Sequence, residues 1–393
     1  MMQAPASLLS TLRPNALAAP ASGIVEVFDY GRGVEGLLPL WVGEGDLPTP
    51  AFITRAAQAS LSEGETFYTY QGGLPPLRKA IAEYLAALYE KPVSENRIFV
   101  TSGGMHALQI AVTMVAGPGD AVLIPTPAWP NFRGALSVSG ATARDVPMRF
   151  GNAGWQLDLA DLEAAITPQT RALIVNSPAN PTGWTATRAE LAAMLDFARA
   201  HDLWIIADEI YGQFYYQAPR APSFRDGMQA DDKVMFVQTF SKNWAMTGWR
   251  IGWLEAPEAL GPTIINLIQY SSSGTPVFTQ RGALAALEGG AAFIREQVER
   301  ARINRDLLVD ALSKVPRFRI AAPPGAFYLF FGVDGISDTR ALAFRLIDHA
   351  RLGLAPGTAF GAGGDGFLRL CYLRKTGDII EVARRLVAAA PDL

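Results

Sequence analysis

From about residue 51 the chain alternates short apolar runs with longer stretches whose apolar residues recur at helical spacing, and this alternation constrains its fold most. Strands separated by helices cannot pair as hairpins, so stacked βα units predict a mainly parallel sheet covered by helices. The candidate strands are Arg97 to Thr101, Ala121 to Pro125, Ala172 to Asn176, Trp204 to Asp208, Val234 to Thr239 and Arg250 to Leu254. Their runs are too continuously apolar for one wet face, so both faces are expected to be buried. Between strands, Pro76 to Tyr89 carries Leu77, Ile81, Tyr84, Leu85 and Leu88 at helical spacing, with Arg78, Lys79 and Glu83 mostly opposite.

After about Gly289 the pattern changes. A long charged helical stretch, Phe293 to Leu312, leads to short strands near Arg317 to Phe331 and Gly366 to Tyr372, and then to a final helix. That order predicts a smaller α+β unit. At 393 residues the chain exceeds the size at which one core stops growing, so two domains are expected. The reading is α/β: residues 1–50 as an N-terminal arm and part of the small domain, 51–289 as the large domain, and 290–393 as the small C-terminal domain. No internal repeat or low-complexity tract stands out.

Composition narrows the function. With 49% hydrophobic and 18% charged residues there is ample material for a core and too little charge for disorder. The formal net charge of −3 comes without any long single-sign run, which argues against nucleic acid as a partner. A single cysteine, Cys371, can form no internal disulfide, and a small buried apolar role suits it. Three scattered histidines, His106, His201 and His349, form no metal-ligand pattern, so metal catalysis is not expected. No apolar run reaches the ~18 to 20 residues that a membrane-spanning helix needs. The stretch MMQAPASLLSTLRPNALAAP lacks a basic n-region and an unbroken apolar h-region; it reads as a partly mobile arm, and the cytoplasm is the expected location.

Ligands of open α/β sheets sit outside the carboxyl ends of the strands, and four motifs lie at such ends here. Thr239-Phe240-Ser241-Lys242-Asn243-Trp244-Ala245-Met246-Thr247-Gly248-Trp249-Arg250 joins two apolar runs. An amine there can form an imine with an aldehyde and then move protons, and a nearby guanidinium offers a planar fork to phosphate. Asp208-Glu209-Ile210-Tyr211 ends another strand. Asn176-Ser177-Pro178-Ala179-Asn180-Pro181-Thr182-Gly183 is a tight turn whose Ser177-Pro178 and Asn180-Pro181 bonds are candidates for cis geometry. Thr101-Ser102-Gly103-Gly104-Met105-His106 turns through two glycines into a helix, where backbone amides can approach an anion. Taken singly, each motif is most often an ordinary cap, turn or surface lysine; together and in this order they are specific.

The set resembles the fold-type I pyridoxal-phosphate enzymes of the aspartate aminotransferase superfamily, class I/II, from about residue 37 to the last helix. The resemblance implies a seven-stranded-type sheet, pyridoxal 5′-phosphate as cofactor, and Lys242 as the lysine that holds it as a Schiff base. It also implies that Thr239, Ser241 and Arg250 bind the cofactor phosphate together with the amides of Gly103, Gly104 and Met105. Asp208 would pair with the pyridinium nitrogen, keeping the ring an electron sink. Tyr211 and Asn180 would contact the phenolic oxygen, and Trp129 would stack on the ring. Arg369, in Phe367-Leu368-Arg369-Leu370-Cys371-Tyr372, would grip the substrate α-carboxylate with Asn180, and Gly43 would line the same pocket. Tyr68 matches a tyrosine that reaches the neighbouring subunit's phosphate, which implies a homodimer with shared active sites. His106 reads as a packing residue.

The implied reaction is amino transfer between an L-amino acid and a 2-oxo acid. A C–S β-lyase shares the cofactor motifs and is the alternative; a non-catalytic pyridoxal-phosphate module like those fused to winged-helix DNA-binding domains is a third reading, opposed by the lack of a basic helix-turn-helix before residue 37. Dicarboxylate-specific members carry an arginine shortly before the stretch Tyr270 to Ser273, or a lysine at the position of Met105. Asn266-Leu267-Ile268-Gln269-Tyr270 holds no arginine, and Met105 with Trp129 points to an apolar or aromatic side chain. Arg32 is the candidate cation for a glutamate donor.

Overall fold

The computed structural model describes residues 6–393; the first five residues of the expected arm lie outside the described residues. The six predicted runs fold as strands β1 (Ile98–Thr101), β2 (Ala121–Thr126), β4 (Thr170–Asn176), β5 (Trp204–Asp208), β6 (Val234–Thr239) and β7 (Gly252–Glu255), and with the further strand β3 (Thr142–Pro147) they make one seven-stranded sheet. Its order is β1-β7-β6-β5-β4-β2-β3, and β7 alone runs antiparallel to both neighbours. The sheet is therefore mainly parallel, and the carboxyl ends of β1, β2, β4, β5 and β6 share one edge. The buried faces of β2 and β6 bear out the reading of their continuous apolar runs.

Two differences from the sequence reading have local causes. β3 was not predicted, because it is the edge strand and its residues Thr142, Ala143, Arg144 and Asp145 are not an apolar run. β7 starts at Gly252 rather than Arg250, because Thr247–Trp249 forms a 3-10 turn and Arg250 takes a left-handed φ of 53°. That turn aims Arg250 back towards the start of the helix that follows β1. Both expected Ser177-Pro178 and Asn180-Pro181 bonds are cis, as is Thr126-Pro127.

A second, antiparallel sheet is built from β8 (Phe318–Arg319), β9 (Tyr328–Val333), β10 (Ala355–Pro356) and β11 (Phe367–Cys371), in the order β8-β9-β11-β10. The long helix Ala291–Leu312 precedes it and the helix Thr376–Ala389 closes the chain. The N-terminal segment belongs to this side: Leu38 and Pro39 pair in parallel with Leu352 and Gly353. Helix α1 (Gly23–Gly31), capped by the Ser22 side chain on the Val25 amide, packs beside β10. One hydrophobic cluster runs from Val175 of β4 through Phe330 of β9 to Leu368 of β11, so the two sheets are joined by core rather than by solvent. No described helix is long and apolar enough to cross a membrane.

Candidate active site

The shared edge of the large sheet faces the small sheet across a cavity of about 610 Å³. Every site residue named from the sequence lines it except Gly103, Tyr68 and Arg32. The topology explains the convergence: Gly104 and Met105 follow β1, Trp129 follows β2, Asn180 follows β4, Asp208 ends β5, and Ser241 and Lys242 follow β6. Arg369 enters from β11 of the other sheet.

Asp208 is 2% exposed, and its carboxylate accepts from the Ile210 amide, 3.3 Å from Oδ1. Burial raises its pKa to about 7, against the smaller lowering by that amide and by Lys242. Lys242 projects into the same space, where its Nζ donates to the Gly43 carbonyl at 2.6 Å and stands 6.0 Å from the centre of the Tyr211 ring. Burial lowers its pKa to about 8. Opposed shifts of a neighbouring acid and amine are what a proton-transfer site needs near neutral pH.

At the other end of the cavity Thr239 Oγ1 donates to Ser241 Oγ at 2.8 Å, and the two hydroxyls stand beside Arg250 and the first turn of helix α2 (Gly104–Val115). Gly103 has φ +90, and a Cβ there would lie 2.5 Å from Arg250 Nη2. Glycine is thus required for the backbone and the guanidinium to approach the same point. A helix N-terminus, two hydroxyls and a guanidinium suit a phosphate dianion. His106 keeps the packing role expected of it: Nδ1 accepts from the Ser102 amide at 3.1 Å, and Nε2 meets Ser271 Oγ at 2.8 Å. Since that serine donates to the Leu267 carbonyl, Nε2 carries the proton, and the imidazole ties the glycine turn to a neighbouring helix.

Arg369 is the third feature. It is 2% exposed and forms no ion pair with any described carboxylate. Nη1 donates to Asn180 Oδ1 at 2.9 Å, Nη2 donates to the Trp41 carbonyl, and Nε is buried without a partner. A buried guanidinium without a counter-charge costs several kcal/mol unless an anion arrives. Asn180 is itself held by its amide on Asn176 Oδ1 at 2.8 Å, and Asn176 Nδ2 donates to the Asp208 carbonyl at 3.0 Å. Its Oδ1 being taken by Arg369, the Asn180 NH2 group is left to donate into the cavity.

Sequence reasoning missed Tyr328, whose hydroxyl lies 2.8 Å from that of Tyr211. It sits in a wholly buried strand and reads there as core. A Cβ at Gly43 would overlap the Tyr328 hydroxyl, so the close approach of this turn to the tyrosine requires glycine. Trp41 and the α1 residues Ile24, Val25 and Phe28 also line the cavity, brought from the N-terminal segment. Two residues lie elsewhere. Tyr68 is 93% exposed. Arg32 caps the end of α1 and pairs with Asp29 at 3.6 Å, outside the cavity wall, so its expected service to a glutamate donor is not supported by its position.

The chain matches the model of the family described as aminotransferase class I and II over residues 37–386. It belongs to that family. An aspartate aminotransferase of Musicola paradisiaca is 36% identical over 337 residues, covering 84% of this chain and 83% of that protein. An arginine–pyruvate transaminase of Pseudomonas aeruginosa is 34% identical over 362 residues, 91% of each chain. Among solved structures, the aspartate aminotransferase of Thermus thermophilus with maleate superposes with a TM-score of 0.89 at 30% identity, covering 97% of this chain and 99% of that one. The protein is therefore an aminotransferase, and of the reactions the motifs left open its relatives support amino transfer over β-elimination. The relatives' different amino acids leave this aminotransferase's own substrate to the chemistry of its cavity.

Proposed function

We propose that the aminotransferase binds pyridoxal 5′-phosphate through Lys242 and moves the amino group of an L-amino acid with an apolar or aromatic side chain onto a 2-oxo acid. One observation carries this reading: a desolvated amine, a buried carboxylate with spare acceptor capacity and a buried guanidinium without a counter-ion line the same cavity. Arg250, Thr239, Ser241 and the amides of Gly103, Gly104 and Met105 would hold the phosphate. Asp208 would pair with the ring nitrogen, Trp129 would stack on the ring, and Tyr211 and Asn180 would hold its phenolic oxygen.

When bound, pyridoxal phosphate supplies an aldehyde that captures the substrate amine and a ring that takes up electrons from the substrate Cα. The protein's share is positioning and proton transfer. Arg369 and Asn180 fix the α-carboxylate, which orients the Cα–H bond towards Lys242. Lys242 Nζ, freed from the aldehyde, accepts that proton; its lowered pKa keeps a useful share of the amine neutral near pH 7 to 8. Tyr328 and the Gly43 carbonyl hold Tyr211 and Lys242 in place.

The substrate class follows from what the walls contain. The cations of the cavity are Lys242, Arg250 and Arg369, each already given a role, and the remaining walls include Ile24, Val25, Phe28, Trp41 and Met105. Tyr68 would complete the phosphate site of a second copy, and the exposure of its neighbours in sequence, Phe67 and Tyr70, supports a homodimer. Residues 51–289 would form the cofactor domain and the two flanking segments the small one, in a cytoplasmic enzyme.

The test is the absorption spectrum of the purified protein with the cofactor. A band near the visible edge that amino acids bleach and 2-oxo acids restore is the expected result; a protein that takes up no cofactor would sink the proposal. For the carboxylate, Arg369→Lys should raise KM roughly 10- to 100-fold with a much smaller change in kcat, because a point charge replaces a fork that binds ground and transition states alike. Steady-state kinetics check this, and an unchanged KM removes Arg369 from the substrate site.

A further inference from the structure

A second cavity of about 490 Å³ lies directly behind the first. The two share Ser22, Met105, Trp129, Pro130 and Asn131 as common wall. In the first cavity Arg369 would hold the α-carboxylate of a substrate and the cofactor aldehyde beside Lys242 its amine, so the shared wall is met by the side chain. Part of that wall gives easily. Met105 has three rotatable bonds, and its contact with the wall is a weak one, Asn131 Nδ2 to Sδ at 3.6 Å.

Beyond the wall the surface is apolar where it is deepest: Ile124, Phe132, Ala135 and Phe360 are all buried. The charged residues of this second chamber are Arg133, Asp145 and Arg340. Each is already paired, Arg133 with Asp145 at 2.5 Å and Arg340 with Glu26 at 2.8 Å. A charged side-chain end entering here would meet neutralised partners, and would have to break one pair or lose its water without replacement. An uncharged chain meets no such cost and gains by leaving water.

We infer that this chamber receives the distal part of the substrate side chain and makes long, uncharged amino acids the preferred donors. The inference rests on the amino-transfer reading and extends it from apolar in general to length in particular. Helix α3 (Pro130–Ser139) supplies a position that isolates the chamber from the chemistry. A Cβ at Gly134 would meet nothing within 4 Å, and Gly134 lines the second cavity but not the first. A large side chain there fills the chamber without touching Lys242, Asp208 or Arg369, and a helical position tolerates the loss of glycine.

The experiment measures kcat/KM of the cofactor-loaded enzyme for alanine, norvaline, norleucine and 2-aminooctanoate with one fixed 2-oxo acid. The wild-type value is expected to climb about three- to fourfold per added methylene beyond norvaline. Gly134→Phe should flatten that climb and leave alanine within about twofold. A wild-type series that falls beyond norvaline, a climb that survives Gly134→Phe, an equal loss on alanine, or a preference for lysine, arginine or glutamate over norleucine each overturns the inference. A second readout needs neither the variant nor turnover: the rise in melting temperature given by linear monocarboxylates from propanoate to octanoate should grow with length. Lack of turnover of any amino acid would defeat the amino-transfer reading alone, whereas a flat monocarboxylate series defeats the chamber alone.

Discussion

Lys242→Ala is expected to lower amino transfer by about 10⁴-fold or more, since removing the one group that does covalent and proton-transfer work typically removes most of an enzyme's rate. A stability measurement on the same variant separates that loss from misfolding. In the unliganded protein burial lowers the Lys242 pKa to about 8 from 10.5. The unfolded chain then binds more protons than the folded one between those two values, so stability rises as pH increases across that window. Below pH 8 the folded protein holds a buried ammonium at a cost of about 3 kcal/mol. Alanine removes that cost together with some packing of the stem. Unliganded Lys242→Ala should therefore melt above the wild type at pH 7, and its advantage should shrink as the pH approaches 10.5. A variant that melts below the wild type at every pH would mean that Lys242 holds the fold, and its lost activity could not be read as chemistry.

The sequence showed the centre of this fold more clearly than its edges, for physical reasons. β5 and β6 are buried on both faces and had to be continuous apolar runs, so their bounds are readable to the residue. β3 at the sheet edge is under no such demand, and Arg144 and Asp145 hide it. The site divides the same way. Lys242, Asp208, Asn180 and Gly103 sit in short motifs at strand ends and could be named from local pattern together with family likeness. Tyr328 could not, because a buried tyrosine in an apolar strand has the sequence of core, and only the hydroxyl of Tyr211 at 2.8 Å gives it a task. Family likeness put Asn180 beside Arg369 across 189 positions, but nothing in the sequence pointed to the Trp41 carbonyl, 328 positions away, as its other partner. The second chamber is further still from sequence reasoning, since its walls come from the N-terminal segment, the start of α3 and the residues just after β10.

Asp208→Asn should cut turnover by roughly 10²- to 10³-fold, on the scale of removing one preorganised electrostatic partner from a transition state, while making the unliganded protein more stable at pH 8. The sign follows from burial. The folded pKa is raised to about 7 from 3.8, chiefly by desolvation, so the folded state holds the proton more tightly than the unfolded one. The stability this group contributes is fully present below pH 3.8 and is lost as the pH rises to about 7, a loss of about 4 kcal/mol. Asparagine keeps the shape and never ionises. The melting temperature of unliganded Asp208→Asn should therefore exceed that of the wild type at pH 8 and converge on it near pH 4. Binding of a cofactor with a cationic ring nitrogen compensates the buried carboxylate, so the wild type should gain more melting temperature from pyridoxal phosphate than the variant does. Equal gains in both proteins would show that Asp208 does not face the ring nitrogen. A wild type no less stable at pH 8 than the variant would show that the carboxylate is already compensated within the protein, and that its burial is not stability held in reserve for the cofactor.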